Sequence, residues 1–337
     1  MSKKKNQKNS SCDGFLKVMM GAKCVEGFFS ALVSIVVIAV IIFFAVNYNS
    51  GFGNATTTSQ TDSSSGFEYA DKADSRFNFY LKEKEIERAG EFESTALPYM
   101  VEIEVLHVGQ GGCVVLRDGS ICTLIDVGGP EDGALIGAHL NDLGVSAVDV
   151  VLTTTDNRHC GGLKSLAEWV EIQKVYTTSK IANEISLSGY AIEEISQCTR
   201  WRTGSYSFCC LASSDVAVIR ATVGNHSLVY LSNLTAEYET EVSDARFAGM
   251  DITAEFLVAA SHAEIDTNSE WLLSAIGASQ NFIQMDENEV DPYLKTVNRL
   301  HKFATTWRTD RFDTCVIHTD GVDYTMRQDA NRNCNGK

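Results

Sequence analysis

The chain is short of positive charge. Its 337 residues include 28 Lys and Arg against 44 Asp and Glu, which gives a formal net charge of −16 at pH 7. Affinity for nucleic acid depends heavily on Lys and Arg side chains that neutralise phosphates, so this balance disfavours DNA and RNA as partners. Arg200 and Arg202 are the candidate for a local basic patch in the globular part of the chain.

Two common functional motifs are also missing. No G-x-x-x-x-G-K-[ST] segment occurs, which excludes a phosphate-binding P-loop. We therefore attribute the glycines at positions 109, 111, 128 and 129 to tight turns, which need the conformational freedom of glycine, and not to phosphate binding. No G-x-S-x-G segment occurs either, which excludes the nucleophile elbow of an α/β-hydrolase.

Residues 27–47 lack any charged side chain. About twenty residues of helix, at a rise of about 1.5 Å each, span the roughly 30 Å hydrocarbon core of a bilayer. Only Ser30 and Ser34 interrupt the apolar run Gly27 to Val46, so the polar stripe of a buried core helix is absent. We predict a transmembrane signal anchor at 27–47. A cleaved signal peptide is the alternative, but its apolar region is usually about 7–15 residues and ends at an A-x-A-like site.

The charges on either side of this run predict its orientation. Six lysines and two acids give residues 1–26 a charge of +4. Since the whole chain carries −16, the residues after position 26 carry −20. No Lys or Arg follows the run until Lys72. The positive-inside rule places this basic tail in the cytoplasm and the remainder outside, as in a single-pass cell-membrane protein. Residues 48–98 begin with a stretch rich in Ser, Thr, Asn and Gly, which predicts a flexible linker. A short helix is predicted in the second half of this linker.

Ten cysteines are divided by the predicted anchor. Cys12 and Cys24 fall on the cytoplasmic side, and eight fall outside, where an oxidising environment predicts disulfides of unknown connectivity. A two-residue turn at Asp118-Gly119 would make Cys113 and Cys122 diagonal neighbours about 7–8 Å apart, which is too far for a bridge. Each is expected to find another partner or to remain a buried thiol. The outer set is Cys113, Cys122, Cys160, Cys198, Cys209, Cys210, Cys315 and Cys334.

Residues 99–330 read as one globular domain in which apolar β-type runs alternate with helical segments. Roughly 230 residues are enough for one buried core, and the mixed order favours packed sheets with outer helices. Strands are predicted within 101–108, 112–119, 121–127, 148–154, 172–178, 205–211, 216–223, 226–233, 255–261, 281–285 and 313–320. Helices are predicted within 131–143, 161–170, 235–247, 268–276 and 291–303.

Several segments of this domain resemble a known family in their order and spacing. They are VLHVGQGG (105–112), LIDVGG (124–129), LGVSAVDVVLTTTDNRHCGGL (143–163), LVYLSNLTAE (228–237), LVAASHAEIDTNSEWLL (257–273) and the closing WRTD and VIHTDG segments. Together they resemble the metallo-β-lactamase-fold domain of ComEC-type competence DNA-uptake proteins. The resemblance implies an α/β fold, a four-layer αββα sandwich, and in active members two metal ions at one edge of the sheets.

The metal-binding positions of that family are altered here. Where the family has H-x-H-x-D-H, this chain has Thr154, Asp156, Arg158 and His159. Asn233 stands where the family has the aspartate that bridges the two metals. His262 lies in the segment that matches the family's P-H-H-G-S, and this chain has one histidine there where the family has two. In the segment D-V-G-Q-G-D both carboxylates are lost. Asp126, His159 and His262 remain as site residues by this resemblance.

Arg158 weighs most against a normal dinuclear site. A guanidinium is always charged and has no acceptor lone pair, so it cannot bind a metal and repels one nearby. We expect Arg158 to pair with Asp126 or Asp156 in place of the missing cations.

Three functional hypotheses remain open. The leading one is a metal-free, non-catalytic domain acting as a pseudoenzyme, scaffold or sensor, with another envelope protein or a small ligand as partner and disulfides as cross-links. The alternative is an active phosphodiesterase or nuclease with a rebuilt site around Asp126, Asp156, His159 and His262. Zinc or manganese would bind Asp156, His159 and His262, and Cys160 could supplement them. The third is a structural envelope protein whose old cleft is filled.

Overall fold

The computed structural model describes residues 96–264, 266–286 and 294–334. The predicted basic tail, the anchor at 27–47 and all but the last residues of the linker lie outside these ranges and stay predictions. Within the described ranges, no helix has both the length and the apolar character needed to cross a membrane.

Fifteen strands occur in the described residues and form two sheets. The first sheet has the order β15-β14-β1-β2-β3-β4-β5-β6, and the second has the order β13-β12-β11-β10-β9-β8-β7. The strands are β1 Val101–Val105, β2 Val114–Asp118, β3 Ile121–Ile125, β4 Ala147–Val151, β5 Glu171–Thr177, β6 Ile192–Glu194, β7 Arg200–Thr203, β8 Tyr206–Ala212, β9 Val218–Val223, β10 His226–Tyr230, β11 Phe256–Val258, β12 Gln280–Ile283, β13 Thr305–Arg308, β14 Thr314–Thr319 and β15 Tyr324–Asp329.

Helices connect and flank these strands. They are α1 Asp132–Asp142, α2 Asn157–Cys160, α3 Leu163–Leu166, α4 Ser179–Glu184, α5 Glu239–Phe247, α6 Glu270–Ile276, α7 Leu294–Phe303 and α8 Thr309–Phe312, with 3₁₀ turns at Ala260–Ala263 and Ala330–Arg332. Gly144, with φ of 74°, follows α1 and ends the helix in the left-handed conformation that glycine favours. The Ser269 hydroxyl caps α6 by accepting the Leu272 N–H.

Three apolar cores separate four layers. One lies between the sheets and joins Ile103 of the first to Phe208 and Phe256 of the second. Another packs the outer face of the first sheet against helices α1, α3 and α4, and a third packs the second sheet against α5, α6 and α7. The predicted mixed α/β architecture with two sheets between outer helices is confirmed for the described residues. Packed contacts continue past the predicted domain end to Cys334, which is buried.

The first hairpin differs from its predicted register. Asp118 pairs with Ile121, so Gly119 and Ser120 form the turn, and Gly119 has φ of 62°. Cys122 therefore faces Arg117, and Cys113 precedes the paired part of β2. The prediction that Cys113 and Cys122 are diagonal neighbours is wrong, because the turn lies one residue later than the Asp118-Gly119 dipeptide suggested.

The expected disulfides are absent among the eight cysteines of the described residues. Cys113, Cys122, Cys210, Cys315 and Cys334 are buried, and burial raises the pKa of each thiol, to about 12 for the last three. A buried thiol with a raised pKa behaves as a small apolar side chain. These cysteines therefore pack as apolar side chains within the cores that enclose them.

Candidate functional site

The candidate site forms where strand ends from both sheets meet. Asp126 follows β3, Thr153 and Thr154 follow β4, and the adjacent helix α2 supplies His159. From the second sheet, Asn233 follows β10 and His262 lies in the turn after β11. Strands β3 and β4 are parallel, as are β10 and β11, so their carboxyl ends lie at one edge of each sheet. Residues far apart in sequence are thereby brought together.

Asp126 is fully buried and lies within hydrogen-bond distance of four polar groups, from three of which it accepts a hydrogen bond. Its Oδ1 accepts the Thr153 N–H at 2.9 Å, and its Oδ2 accepts the Thr153 hydroxyl at 2.6 Å and the Tyr230 hydroxyl at 2.8 Å. The Nδ1 atom of His159 also lies 2.8 Å from Oδ2. These donors replace the water that the carboxylate loses on burial.

The rings of His159 and His262 are joined through their Nε2 atoms, 3.2 Å apart. His262 Nδ1 lies 2.7 Å from the Gln284 carbonyl, which only accepts, so Nδ1 carries a proton. Burial and the neighbouring charge of His159 lower the pKa of His262 to about 3, so this ring is neutral and its Nε2 accepts. His159 therefore donates from Nε2 to His262, while its Nδ1 faces the Asp126 carboxylate.

A second cluster lies beside this chain of hydrogen bonds. The Arg158 guanidinium holds Asp156 at 2.8 Å from Nη2, and Asn233 Nδ2 donates to the same carboxylate oxygen at 2.9 Å. Burial alone would raise the pKa of Asp156, but the hydrogen bonds and charge of Arg158 bring it well below its usual range. Of the two pairings expected for Arg158, the structure has the one with Asp156. Thr154 accepts the Asp156 N–H through its hydroxyl.

One polar atom in this second cluster lacks a partner. Asn233 Oδ1 is buried and has no hydrogen-bond partner among the described residues. Exchanging its amide oxygen and nitrogen would turn the oxygen toward the Asp156 carboxylate and lose a hydrogen bond, so the assigned orientation holds. A buried acceptor without a donor costs about 1–3 kcal/mol.

The backbone around both clusters is held in unusual conformations. Asp126 has φ of 59° and Ser232 of 55°, and Ser261, His262 and Ala263 have φ of 47°, 51° and 64° in succession. Such left-handed residues other than glycine cost about 1–2 kcal/mol each, so neighbouring contacts must stabilise them. The Ser261 N–H donates to the Ser232 carbonyl at 2.8 Å, which links the two turns. The loops are therefore fixed in place by the fold.

Gly112 is part of the site in a way that the sequence did not reveal. A Cβ at this position would collide with the Tyr230 hydroxyl and the His159 ring. Glycine is thus required for the β1–β2 loop to approach the histidine. The sequence analysis also missed three further site residues, Tyr230, Thr153 and Gln284. A tyrosine in an apolar strand looks like an ordinary core residue, and a threonine at a strand end looks like an ordinary turn residue.

The donor set does not fit two metal ions. Among the described residues, no three His, Cys, Asp or Glu side chains come together so that they could hold an ion. Asp156 is bound to Arg158, and Thr154 and Asn233 carry no charge. Cys160 is half-buried, and burial with the charges of Asp126 and Asp156 raises its pKa to about 11, which keeps it protonated. Within the part of the chain that the structure describes, only the Nε2 atoms of His159 and His262 converge as metal-type donors at this site.

Comparisons with known proteins return similar structures only. No protein-family model matches the chain, and no curated protein matches it. Among solved structures, the chain is similar to the metallo-β-lactamase fold protein YhfI from Bacillus subtilis, at 12% identity over 62% of this chain and 95% of that one, with a TM-score of 0.44. A diphosphatase from the PhnP family has 12% identity over 62% and 94%, with a TM-score of 0.42.

A third similar structure is the CmlA β-hydroxylase E377D mutant, at 14% identity over 66% of this chain and 55% of that one, with a TM-score of 0.44. Similarity at this level says nothing about what the chain binds. The four-layer architecture is established by the sheets and cores described above.

Proposed function

We propose that this protein is a non-catalytic binding protein, built on a metallo-β-lactamase-like sandwich that resembles ComEC-type domains and tethered outside the membrane by residues 27–47. The observation that supports this most directly is the internal neutralisation of the site. Asp126 is satisfied by Thr153, Tyr230 and His159, and Asp156 is held by Arg158 and Asn233. A hydrolytic metal centre needs these carboxylates as open ligands.

The same geometry suggests a small ligand or a loop of an envelope protein as the partner. Asn233 Oδ1 is a buried acceptor that a ligand N–H or O–H could satisfy. The Arg158 side chain is 39% exposed, and the Asp156 carboxylate accepts hydrogen bonds from both Arg158 and Asn233. The positive charge of Arg158 and the acceptor Asn233 Oδ1 therefore lie close together. A rigid, pre-organised site of this kind suits binding, since little conformational entropy is lost when the partner arrives.

The decisive experiment is elemental metal analysis of the purified chain after exposure to zinc and manganese. We expect far less than one ion per chain, and no change in His262→Ala. His301→Ala, on the exposed side of α7, is the matched control for non-specific binding by histidine. Near-stoichiometric metal that disappears in His262→Ala but persists in His301→Ala would contradict the proposal.

A mononuclear hydrolase is the second candidate, and one distance favours it. Two nitrogens bound at about 2.0–2.1 Å to one tetrahedral zinc ion lie about 3.3 Å apart. The Nε2 atoms of His159 and His262 are 3.2 Å apart, so the rings are placed as they would be around one ion. Asp156 would then have to leave Arg158 to complete the site. Hydrolysis of bis-p-nitrophenyl phosphate that depends on added zinc and is lost in His159→Ala would establish this candidate.

A further inference from the structure

The outer strand of the first sheet, β15, has the features of a docking edge. It is the longest of the four edge strands in the described residues, with six residues against three in β6 and four each in β7 and β13. All six pair with β14 in an unbroken register. Native proteins usually protect such edges with bulges, prolines or lysines, and β15 contains none of these. It is therefore a regular template for an added strand.

The hydrogen bonds of the first sheet determine which backbone groups of β15 face outward. The Leu106 N–H donates to the Cys113 carbonyl, so even-numbered residues of β1 bond to β2 and odd-numbered residues bond to β14, because the two sides alternate along a strand. Odd residues of β1 pair with odd residues of β14, which leaves the even residues of β14 to bond to β15. Val316 pairs with Arg327, so the odd residues of β15 bond to β14. The even residues therefore face outward.

Three residues of β15 present their backbone to this outer side, namely Tyr324, Met326 and Gln328. Within the described residues, no hydrogen bond engages their outward N–H and C=O groups. Their side chains point toward the second sheet, where the Tyr324 ring packs edge-on against Phe256 with ring centroids 5.0 Å apart. The edge is thus held in place, so little conformational entropy is lost when another strand pairs with it.

An apolar cavity of about 200 Å³ opens between the two sheets at this edge. Trp307, Cys315, Met326, Arg327 and Gln328 line it. Trp307 and Met326 are only partly buried against the core between the sheets. A strand added to β15 lies about 4.8 Å away, so its inward side chains would cover the opening. Pairing would therefore remove apolar surface from water in addition to forming backbone hydrogen bonds.

A second copy of this chain fits the edge best in one register. Antiparallel pairing about a two-fold axis at Met326 joins three pairs of outward-facing residues, which gives about six hydrogen bonds between the chains. An axis at Arg327 would place two arginines opposite each other and lose about two of these bonds. The axis at Met326 also brings the two Met326 side chains together over the mouths of the two cavities.

The charges along β15 agree with this register. Arg327 lies opposite Thr325 of the second copy and diagonal to its Asp323, which an arginine side chain can reach. The Arg327 side chain is 51% exposed, and its contact with Asp329 of its own chain is long, at 3.4 Å. Beyond the paired residues Asp329 faces Asp323 of the second copy, but Arg332 also lies 3.4 Å from Asp329 and offsets its charge. Charge complementarity thus favours a second copy as the occupant.

We propose that two copies of this chain pair through β15, antiparallel about a two-fold axis at Met326, so that their first sheets form one continuous sheet. The pairing uses no residue of the candidate site and does not depend on the function proposed for that site.

Cysteine cross-linking of the full chain in lipid vesicles tests the pairing and its register. The two Cα atoms at position 326 would lie about 5.5 Å apart, within the range of a disulfide. Met326→Cys should therefore give disulfide-linked dimers when it is oxidised with copper phenanthroline. Position 325 lies opposite 327, so each is about 7–8 Å from its own counterpart, and Thr325→Cys and Arg327→Cys should cross-link far less. The parent chain is the control for the ten natural cysteines.

Two substitutions at Thr325 should move dimerisation in opposite directions. Thr325→Lys faces Arg327 of the second copy and should weaken the dimer about fivefold, whereas Thr325→Glu should strengthen it about fivefold. Thr325 is exposed, so neither variant disturbs the core. Thr240→Lys, exposed on α5, should change nothing. Sedimentation of the full chain in detergent measures the dissociation constant of the dimer.

Met326→Pro gives an independent check, because the pairing with β14 does not need this outward N–H. It should weaken the dimer at least about tenfold. A parent chain that stays monomeric would overturn the proposal. In such a monomer, slow amide hydrogen exchange at residues 324, 326 and 328 would assign the edge to another segment of the chain, and fast exchange would leave it to a different protein. A dimer that none of the Thr325 and Met326 variants changes would also overturn it, since the contact would then lie elsewhere, as in the predicted anchor at 27–47.

Discussion

Two clusters bury carboxylates in this protein, and they stabilise them by different means. In the candidate site, Asp126 is satisfied mainly by neutral hydroxyl and amide donors and one histidine. On β1, Glu102 and Glu104 are 5% and 0% exposed and are held by cations. We call this second cluster the carboxylate latch; it comprises Glu102, Glu104, Arg117, His139 and Arg332.

The carboxylate latch fastens the end of the described chain to the first sheet. Arg332, in the last 3₁₀ turn, donates to both Glu102 and Glu104. Two residues later, the Cys334 N–H donates to the His107 carbonyl at 2.8 Å. The candidate site thus depends on hydrogen-bond geometry, whereas the latch depends on charge.

The largest effect is expected from Asp126→Asn. The amide nitrogen would face the Thr153 and Tyr230 donors in place of an acceptor, so the free energy of unfolding should fall by about 3 kcal/mol. Denaturant unfolding followed by tryptophan fluorescence measures this change. Asp142→Asn, at an exposed position of α1, is the control and should stay within about 0.5 kcal/mol of the parent. Equal effects of the two variants would mean that the network around Asp126 contributes nothing.

A somewhat smaller loss is expected from Arg332→Met. This change keeps an apolar stem but leaves two adjacent buried carboxylates without their shared cation, which should cost about 2 kcal/mol. It should also expose the C-terminal segment to proteases before the rest of the domain unfolds. Arg327→Met, exposed on the neighbouring strand, should show neither change. Full resistance of Arg332→Met to a C-terminal protease would contradict the latch.

The two clusters should lose stability in different pH windows. The pKa of His262 is lowered from 6.5 to about 3 by burial and by His159, so the unfolded state binds this proton first. Its contribution is complete above about pH 6.5 and is lost as the pH falls toward 3. For Glu102, burial would raise the pKa, but hydrogen bonds from Glu104 and Arg332 lower it from 4.5 to about 2. Its contribution is present above about pH 4.5 and is lost below.

Unfolding free energies measured from pH 7.5 to 3.5 test this separation. His262→Gln should flatten the curve between about pH 6.5 and 4.5, and Glu102→Gln should flatten it only below about 4.5. A Glu102→Gln curve already flattened at pH 6 would show that the two clusters titrate as one system.

The smallest effect is expected from Asn233→Ala. The change removes the hydrogen bond to Asp156 but also removes the buried Oδ1 that has no partner among the described residues. The two contributions oppose each other, so the free energy of unfolding should shift by less than about 1 kcal/mol. Thermal unfolding of the variant against the parent measures it. A loss above about 2 kcal/mol would mean that Oδ1 is satisfied in solution by an ordered water.

The strands that the sequence predicted and those it missed occupy different places in the sheets. All interior strands were predicted, because their apolar runs are buried on one or both faces. The four edge strands were missed, namely β6, β7, β13 and β15. Their side chains are mostly exposed or half-buried, so they lack the apolar pattern that identifies a strand.

Some contacts within the candidate site were expected from the sequence, and others were not. Asp126, His159 and His262 do meet, and Arg158 does pair with Asp156. Tyr230 and Thr153 were not predicted as partners of Asp126. A hydroxyl at a strand end looks the same in sequence whether it faces solvent, a turn or a buried carboxylate.

The sequence by itself determined which segments are apolar enough to form interior strands and where the charge lies. These are local properties of side chains and their spacing. Only the tertiary structure decided which donors satisfy Asp126. Tyr230 and Asp126 are 104 residues apart, and His159 and His262 are 103 apart. Such contacts depend on strand order and register, which no local pattern in the sequence specifies.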